Sequence, residues 1–203
     1  MPFKKLHANL QEKLASLEIT TPTPFQKTSI PVIKSGGNIF CTAAKESGKT
    51  TTLILTTLQK LNYEAFGTAP RAIVLVESNE KALQLFDAFS KYTRYSSLRV
   101  YLGDEKLHLE LLKSEIFEGI DILISTPKKL NQLLLLEGVN TTQVKIFSID
   151  DADFLVHKSS SADLISVTQS IQKCQFVIYS EKMHPTLKRF ESYFMERYKT
   201  VAI

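Results

Sequence analysis

Short runs of apolar, β-branched or aromatic residues recur along the chain, at 38–42 (NIFCT), 72–76 (AIVLV), 98–101 (LRVY), 121–124 (DILI), 144–149 (VKIFSI) and 175–179 (QFVIY). Such runs read as strands with both faces buried. Between them the apolar positions fall at helical spacing over 50–61, 79–93, 105–117, 128–136, 162–172 and 185–198. Strand then helix, repeated, predicts an α/β fold of three layers, a mostly parallel sheet flanked by helices. Two further helical stretches, 6–17 and 24–35, precede the first strand and are split by a Thr-Thr-Pro-Thr-Pro turn signal. There is no internal repeat and no Gly- or Ser-rich linker, so residues 1–203 are expected to form one unit, with 1–36 as its N-terminal helices. The serines Ser159, Ser160 and Ser161 read as a loop and helix cap.

Composition narrows the class. Hydrophobic residues at 43% and charged residues at 23% lie far from the corner where chains stay disordered. A net charge of +4 permits a polyanionic partner without demanding one. Two cysteines, Cys41 and Cys174, sit in apolar stretches and complete no metal spacing, which fits a reduced intracellular compartment. His7, His108, His157 and His184 are scattered without ligand spacing, and no G-x-S-x-G turn presents a serine nucleophile. No stretch approaches the roughly 18 apolar residues of a membrane span. A soluble, cytoplasmic protein without membrane contact is expected.

Candidate chemistry sits at two strand ends. Residues 43–50 read A-A-K-E-S-G-K-T, directly after the first predicted strand and opening a helix. In that context the backbone N–H groups around Ser47 and Gly48 can converge on a triphosphate, with Lys49 as a charge on its phosphates and Thr50 as a hydroxyl for magnesium. The first glycine of the generic loop is Ala43, and a further common glycine is Glu46. That carboxylate repels phosphate unless it turns to solvent or pairs with Lys45. The plainer alternative is a strand-to-helix turn that ends in G-K-T. Residues 147–154 read F-S-I-D-D-A-D-F, with acids at the carboxyl end of a predicted strand, the rim where open parallel sheets bind ligands. Asp150 is placed to hold magnesium and Asp151 to orient or deprotonate water. Alternatively the acids cap the next helix.

Together with their order along the chain, these segments resemble the DEAD-box RNA helicases, in particular their N-terminal RecA-like domain, over nearly the whole sequence. Thr21 to Gln26 (T-P-T-P-F-Q) is similar to the Q motif, which implies that Gln26 reads the adenine edge of ATP, with Phe3 as an upstream aromatic partner. Residues 43–50 resemble motif I and 150–153 motif II. Ser125 to Lys129 (S-T-P-K-K) resembles motif Ib, usually T-P-G-R, and implies RNA-backbone contacts from Thr126, Pro127, Lys128 and Lys129. Val76 to Ala82 (V-E-S-N-E-K-A) takes the place of motif Ia, usually P-T-R-E-L-A, and Ser180 to Lys182 (S-E-K) that of S-A-T. The resemblance implies ATP and Mg2+ as cofactors, RNA as partner, and Lys49, Asp150 and Asp151 as the catalytic set.

The chain departs from the pattern at several chemical positions. Asp151 replaces a glutamate, which draws the implied base back by roughly 1.5 Å, a misplacement that can cost on the order of 100-fold in rate. Asn79 stands where motif Ia carries arginine, and S-E-K leaves Asp153 without the hydroxyl it pairs with in the family. The family also uses a second RecA-like domain that supplies arginine cations. With Ile203 ending the sequence about where that domain would start, little hydrolysis or unwinding is expected without a partner protein. A second reading is a non-catalytic RNA-binding or protein-docking module that has lost nucleotide. Another phosphate-loop NTPase is disfavoured by T-P-T-P-F-Q and by the lack of a guanine-reading N-K-x-D. Phe86, Phe89 and nearby Leu83, at helical spacing, read as core packing, and the charges of Lys188, Arg189, Glu191, Glu196, Arg197 and Lys199 as a solvated helix face.

Overall fold

Each of the six apolar runs forms a strand in the computed structural model, which describes residues 2–203; Met1, the first residue of the expected unit, lies outside the described residues. The strands are β1 (Ile39–Thr42), β2 (Ala72–Leu75), β3 (Val100–Leu102), β4 (Ile122–Ser125), β5 (Ile146–Ile149) and β6 (Gln175–Ser180), joined by a seventh, β7 (Lys199–Ala202). They form one sheet in the order β3-β4-β2-β5-β6-β1-β7, and every adjacent pair is parallel. Between β1 and β5 lies only β6, so the loops leaving those two strands open at the same rim, either side of Ser180.

Alternation along the strands divides the core in two. Ile39, Cys41, Val74, Ile124, Val177 and Tyr179 face α1 (Ala8–Ser16), α2 (Pro24–Lys34), α3 (Lys49–Lys60) and α4 (Asn79–Thr93), where Leu10, Phe25, Leu53 and Phe89 are fully buried. Phe40, Ile73, Leu123, Phe147 and Ile178 face α5 (Leu109–Glu118), α6 (Pro127–Leu135) and α7 (Lys158–Gln169), against Leu112, Leu130 and Leu164. This is the three-layer arrangement that strand–helix repetition predicts.

The expected helix over 185–198 does not form. It shortens to α8 (Pro185–Lys188) and a 3-10 turn, Arg189–Ser192. Two rings pull the chain inward: Phe190 stacks on Phe194 with centroids 5.2 Å apart, and Phe194 lies 4.8 Å from Phe176. Asn38 then fixes the segment, its Nδ2 donating to the carbonyls of Phe194 (3.3 Å) and Glu196 (3.2 Å). Arg197 turns the chain at φ +53° into β7. At the other end α5 begins at Leu109, four residues later than predicted, leaving Asp104 to His108 outside any helix or strand. The serines Ser159, Ser160 and Ser161 lie in the first turn of α7, not in a loop. In α4, Phe89 packs in the core as expected, while Leu83 is 41% exposed.

Candidate functional site

The loop after β1 is held from below by the N-terminus of α2. Thr23 and Gln26 form a capping box: Gln26 N–H donates to Thr23 Oγ1 at 3.2 Å and Thr23 N–H to Gln26 Oε1 at 3.0 Å. The same two side chains reach the loop, Thr23 Oγ1 donating to the Ser47 carbonyl (2.7 Å) and Gln26 Nε2 to that of Gly48 (3.5 Å). Gly48 has φ +94°, and a Cβ there would stand 2.7 Å from Gln26 Nε2, so only glycine fits this clasp. Gln26 is therefore buried with both ends of its amide engaged inside the protein. Phe3 is buried in the core with Leu6 and does not stand free beside the cleft.

Lys49 opens α3 with its side chain 5% exposed and folded back, Nζ donating to the carbonyls of Ala43 (2.7 Å) and Ala44 (2.8 Å). Glu46 points to solvent, and Lys45 pairs with Glu181 (3.4 Å) instead of with Glu46. Glu46 also sits at φ +60°, where a side chain costs about 1 kcal/mol relative to glycine. Glu46→Gly is expected to stabilise the chain by somewhat less than that, raising Tm by about 2 °C. A lower melting midpoint in thermal unfolding would show that Glu46 makes a compensating contact.

Across the rim, Asp150 directly follows β5, 8% exposed. Thr50 Oγ1 donates to its Oδ2 at 3.2 Å, while Oδ1 is buried with no partner among the described residues. Burial, reinforced by the neighbouring Asp151 charge, pushes the Asp150 carboxyl up to about 6 against the opposing pull of Thr50 and Lys49. Asp151 is half exposed in a left-handed conformation, φ +45°, and faces Lys81 across 3.7 Å; Lys81 also pairs with Glu77 at 3.1 Å. Lys81 gave no signal in the sequence, because only the fold lays α4 over the acidic turn. Asp153 keeps a partner after all: its Oδ2 accepts from the backbone N–H of Glu181 at 2.9 Å, which replaces the missing hydroxyl. Two adjoining clefts share this rim. One, of about 340 Å3, lies over Lys45, Glu46, Gly48, Lys49 and Thr50; the other, of about 150 Å3, is lined by Thr50, Lys81, Asp150 and Asp151.

The expected nucleic-acid segment lies beyond β4. Thr126 caps α6 by accepting from Lys129 N–H at 3.3 Å, and Pro127 occupies the first helical turn, buried. Lys128 is exposed. Lys129 is not: its side chain turns inward and Nζ donates to the Leu107 carbonyl at 3.2 Å. The structure thus brings Ser47, Gly48, Lys49, Thr50, Asp150 and Asp151 to one rim and places Thr126 to Lys129 on a neighbouring strand end, two strands from β5.

Residues 23–189, most of the chain, match the family model of the DEAD/DEAH box helicases. The chain belongs to the DEAD/DEAH box helicase family. It is 25% identical over 185 residues to a probable ATP-dependent RNA helicase, ddx42, of Dictyostelium discoideum, a match that covers 89% of this chain and 19% of that protein. Against the ATP-dependent RNA helicase DeaD of Buchnera aphidicola it is 27% identical, covering 99% of this chain and 33% of that protein. The chain therefore spans a third or less of these two relatives. Among solved structures, a DEAD box protein from Methanococcus jannaschii superposes with a TM-score of 0.88 at 18% identity, over 98% of this chain and 54% of that one. The fold is that of the DEAD-box N-terminal RecA-like domain. A variant of S. cerevisiae Dbp5 bound to RNA and ADP BeF3 superposes with a TM-score of 0.83 at 19% identity, over 98% of this chain and 50% of that one.

Proposed function

We propose that this domain binds ATP with magnesium at the β1–β5 rim and RNA near Thr126 to Lys129, and that it hydrolyses ATP weakly or only with a partner. The observation that carries the reading is the Asp150 carboxylate, buried with one oxygen unpartnered and the other on the Thr50 hydroxyl. A buried, half-satisfied acid at a phosphate-loop helix is what a divalent cation relieves. No group of three or more His, Cys, Asp or Glu among the described residues could hold a metal alone, so magnesium here would share phosphate and water oxygens with Thr50 and Asp150. When bound, the ion supplies neutralisation of phosphate charge. The backbone around Ser47 and Gly48 and the Lys49 ammonium would meet the phosphates, once Lys49 gives up the Ala43 and Ala44 carbonyls. Gln26 would read adenine on exchanging its clasp for the base edge.

Slow turnover follows from the acid at position 151. It is one methylene shorter than the family's glutamate and is drawn toward Lys81. A second RecA-like unit, from a longer polypeptide or from a partner protein, would bring the missing cations and the rest of the RNA surface. One observation favours the rival reading of a nucleotide-free module: Lys49 and Gln26 are both satisfied within the chain.

Titration of a fluorescent ATP with and without magnesium separates the two. Saturable, magnesium-dependent binding is expected, and Asp150→Asn should remove most of the magnesium dependence, about 10-fold in affinity. No saturation in either condition would establish the module. ATP turnover stimulated by RNA, with no added protein, would contradict the partner dependence.

A further inference from the structure

Three polar side chains of motif Ia and motif Ib, those of Asn79, Thr126 and Lys129, turn toward one short loop, residues 104–107, which follows the edge strand β3. The Thr126 hydroxyl donates to Glu105 Oε1 at 2.5 Å. The Lys129 ammonium donates to the Leu107 carbonyl at 3.2 Å. Asn79 Nδ2 donates to Asp104 Oδ1 at 2.9 Å, and Asn79 Oδ1 accepts from the Glu105 backbone N–H at 2.9 Å. A hydroxyl, an ammonium and an amide thus give their hydrogens to two carboxylates and a carbonyl. These are the donor types that otherwise take phosphate oxygens of a nucleic-acid backbone.

We propose that loop 104–107 is an intramolecular stand-in for the RNA backbone, and that RNA must displace it to reach Thr126 and Lys129. The inference rests on the proposed RNA contact of that segment and adds what controls it. Charge supports it: Asp104 and Glu105 put two carboxylates, against the single exposed ammonium of Lys106, beside a surface whose one exposed cation among residues 126–129 is Lys128. The mechanics support it as well. The strand before the loop has three residues and pairs only with β4, and the sheet contact ends at Gly103, whose N–H donates to the Ile124 carbonyl at 2.8 Å. A Cβ at Gly103 would stand 2.8 Å from Ser125 Oγ, so that residue is pinned, while Asp104 to Leu107 beyond it belong to neither buried core. Glu105 carries the largest share, because it joins a hydrogen bond to Thr126 with repulsion of any approaching phosphate.

The test is fluorescence anisotropy of the full chain with a labelled single-stranded RNA of mixed sequence. Glu105→Ala is expected to tighten binding about 10-fold near physiological salt, and Glu105→Asp should return most of the wild-type affinity. Glu110→Ala removes the same charge from the exposed first turn of α5, and should change affinity less than about 2-fold. Equal gains from Glu105→Ala and Glu110→Ala would reduce the effect to general electrostatics and overturn the inference. So would no gain from Glu105→Ala. The RNA reading is judged separately by Lys128→Ala: weaker binding there without a gain at Glu105 keeps that reading and removes the stand-in. Amide hydrogen exchange gives a second readout, since the 104–107 amides should exchange faster at saturating RNA.

Discussion

Replacing Lys49 by alanine is expected to abolish saturable ATP binding, with a loss of at least about 100-fold in affinity. The ammonium already makes two hydrogen bonds, at 2.7 and 2.8 Å, to the carbonyls of Ala43 and Ala44. Nucleotide must replace these with charge-assisted bonds to phosphate, and each bond to a charged group contributes about 1.5–3 kcal/mol. Two of them account for a factor of 100 or more, since about 1.4 kcal/mol is tenfold. Stability moves in the same direction for another reason. Without the lysine, the Ala43 carbonyl loses its partner while that of Ala44 keeps the Ser47 N–H at 3.4 Å, and a carbonyl left buried and unpaired costs about 1–3 kcal/mol. Lys49→Met separates the effects, because it keeps most of the buried stem volume and removes only the charge. A folded Lys49→Met domain, judged by circular dichroism, should show no saturation with fluorescent ATP. Wild-type affinity in that variant would mean the lysine is a structural clasp and nothing more.

The inward fold of Lys49 marks the boundary of what could be read from the residues alone. The strands β1, β2, β4, β5 and β6 announce themselves because both faces are buried and their apolar runs are continuous. The strand β7 does not, since it is an edge strand in which only Val201 is buried, and K-T-V-A carries no periodic signal. Apolar positions at helical spacing predict a helix through Tyr198, but the pull of Phe190 and Phe194 onto Phe176 decides that segment, and such long-range packing leaves no local trace. The motif positions were legible as motifs. Their present partners were not: Lys129 looks like a surface cation in S-T-P-K-K and is turned to Leu107, and Asp153 finds a backbone N–H where a side-chain hydroxyl is missing. Backbone groups have no signature in the residue string, so a partner of that kind becomes visible only once the chain is folded.

The opposite rim of the sheet carries the largest expected effect on stability. Asp121 is fully buried just before β4 and accepts four hydrogen bonds: from Arg71 Nη2 (2.7 Å), Arg99 Nε (2.9 Å), and the backbone N–H groups of Arg99 and Phe66 (both 3.0 Å). Arg71 precedes β2 and Arg99 precedes β3, so one carboxylate ties together the starts of three strands whose other ends carry motif Ia, loop 104–107 and motif Ib. Asp121→Ala leaves the Arg71 guanidinium, 3% exposed, without its countercharge. Breaking a buried pair in this way costs about 3–5 kcal/mol, which for a chain of this size lowers Tm by about 10 °C. Burial works to raise the Asp121 carboxyl, but the hydrogen bonds from Arg99, Arg71 and Phe66 outweigh it and hold it below the ordinary carboxylate range. A group depressed in this way contributes its stability above the unfolded pKa of about 4, and loses it as pH falls through the lower folded value. Urea midpoints should therefore separate wild type from Asp121→Asn fully at pH 7 and progressively less below about pH 4. A gap that stays constant down to pH 2 would show that the variant fails through misfit of its amide against the two arginines, with no contribution from the lost charge.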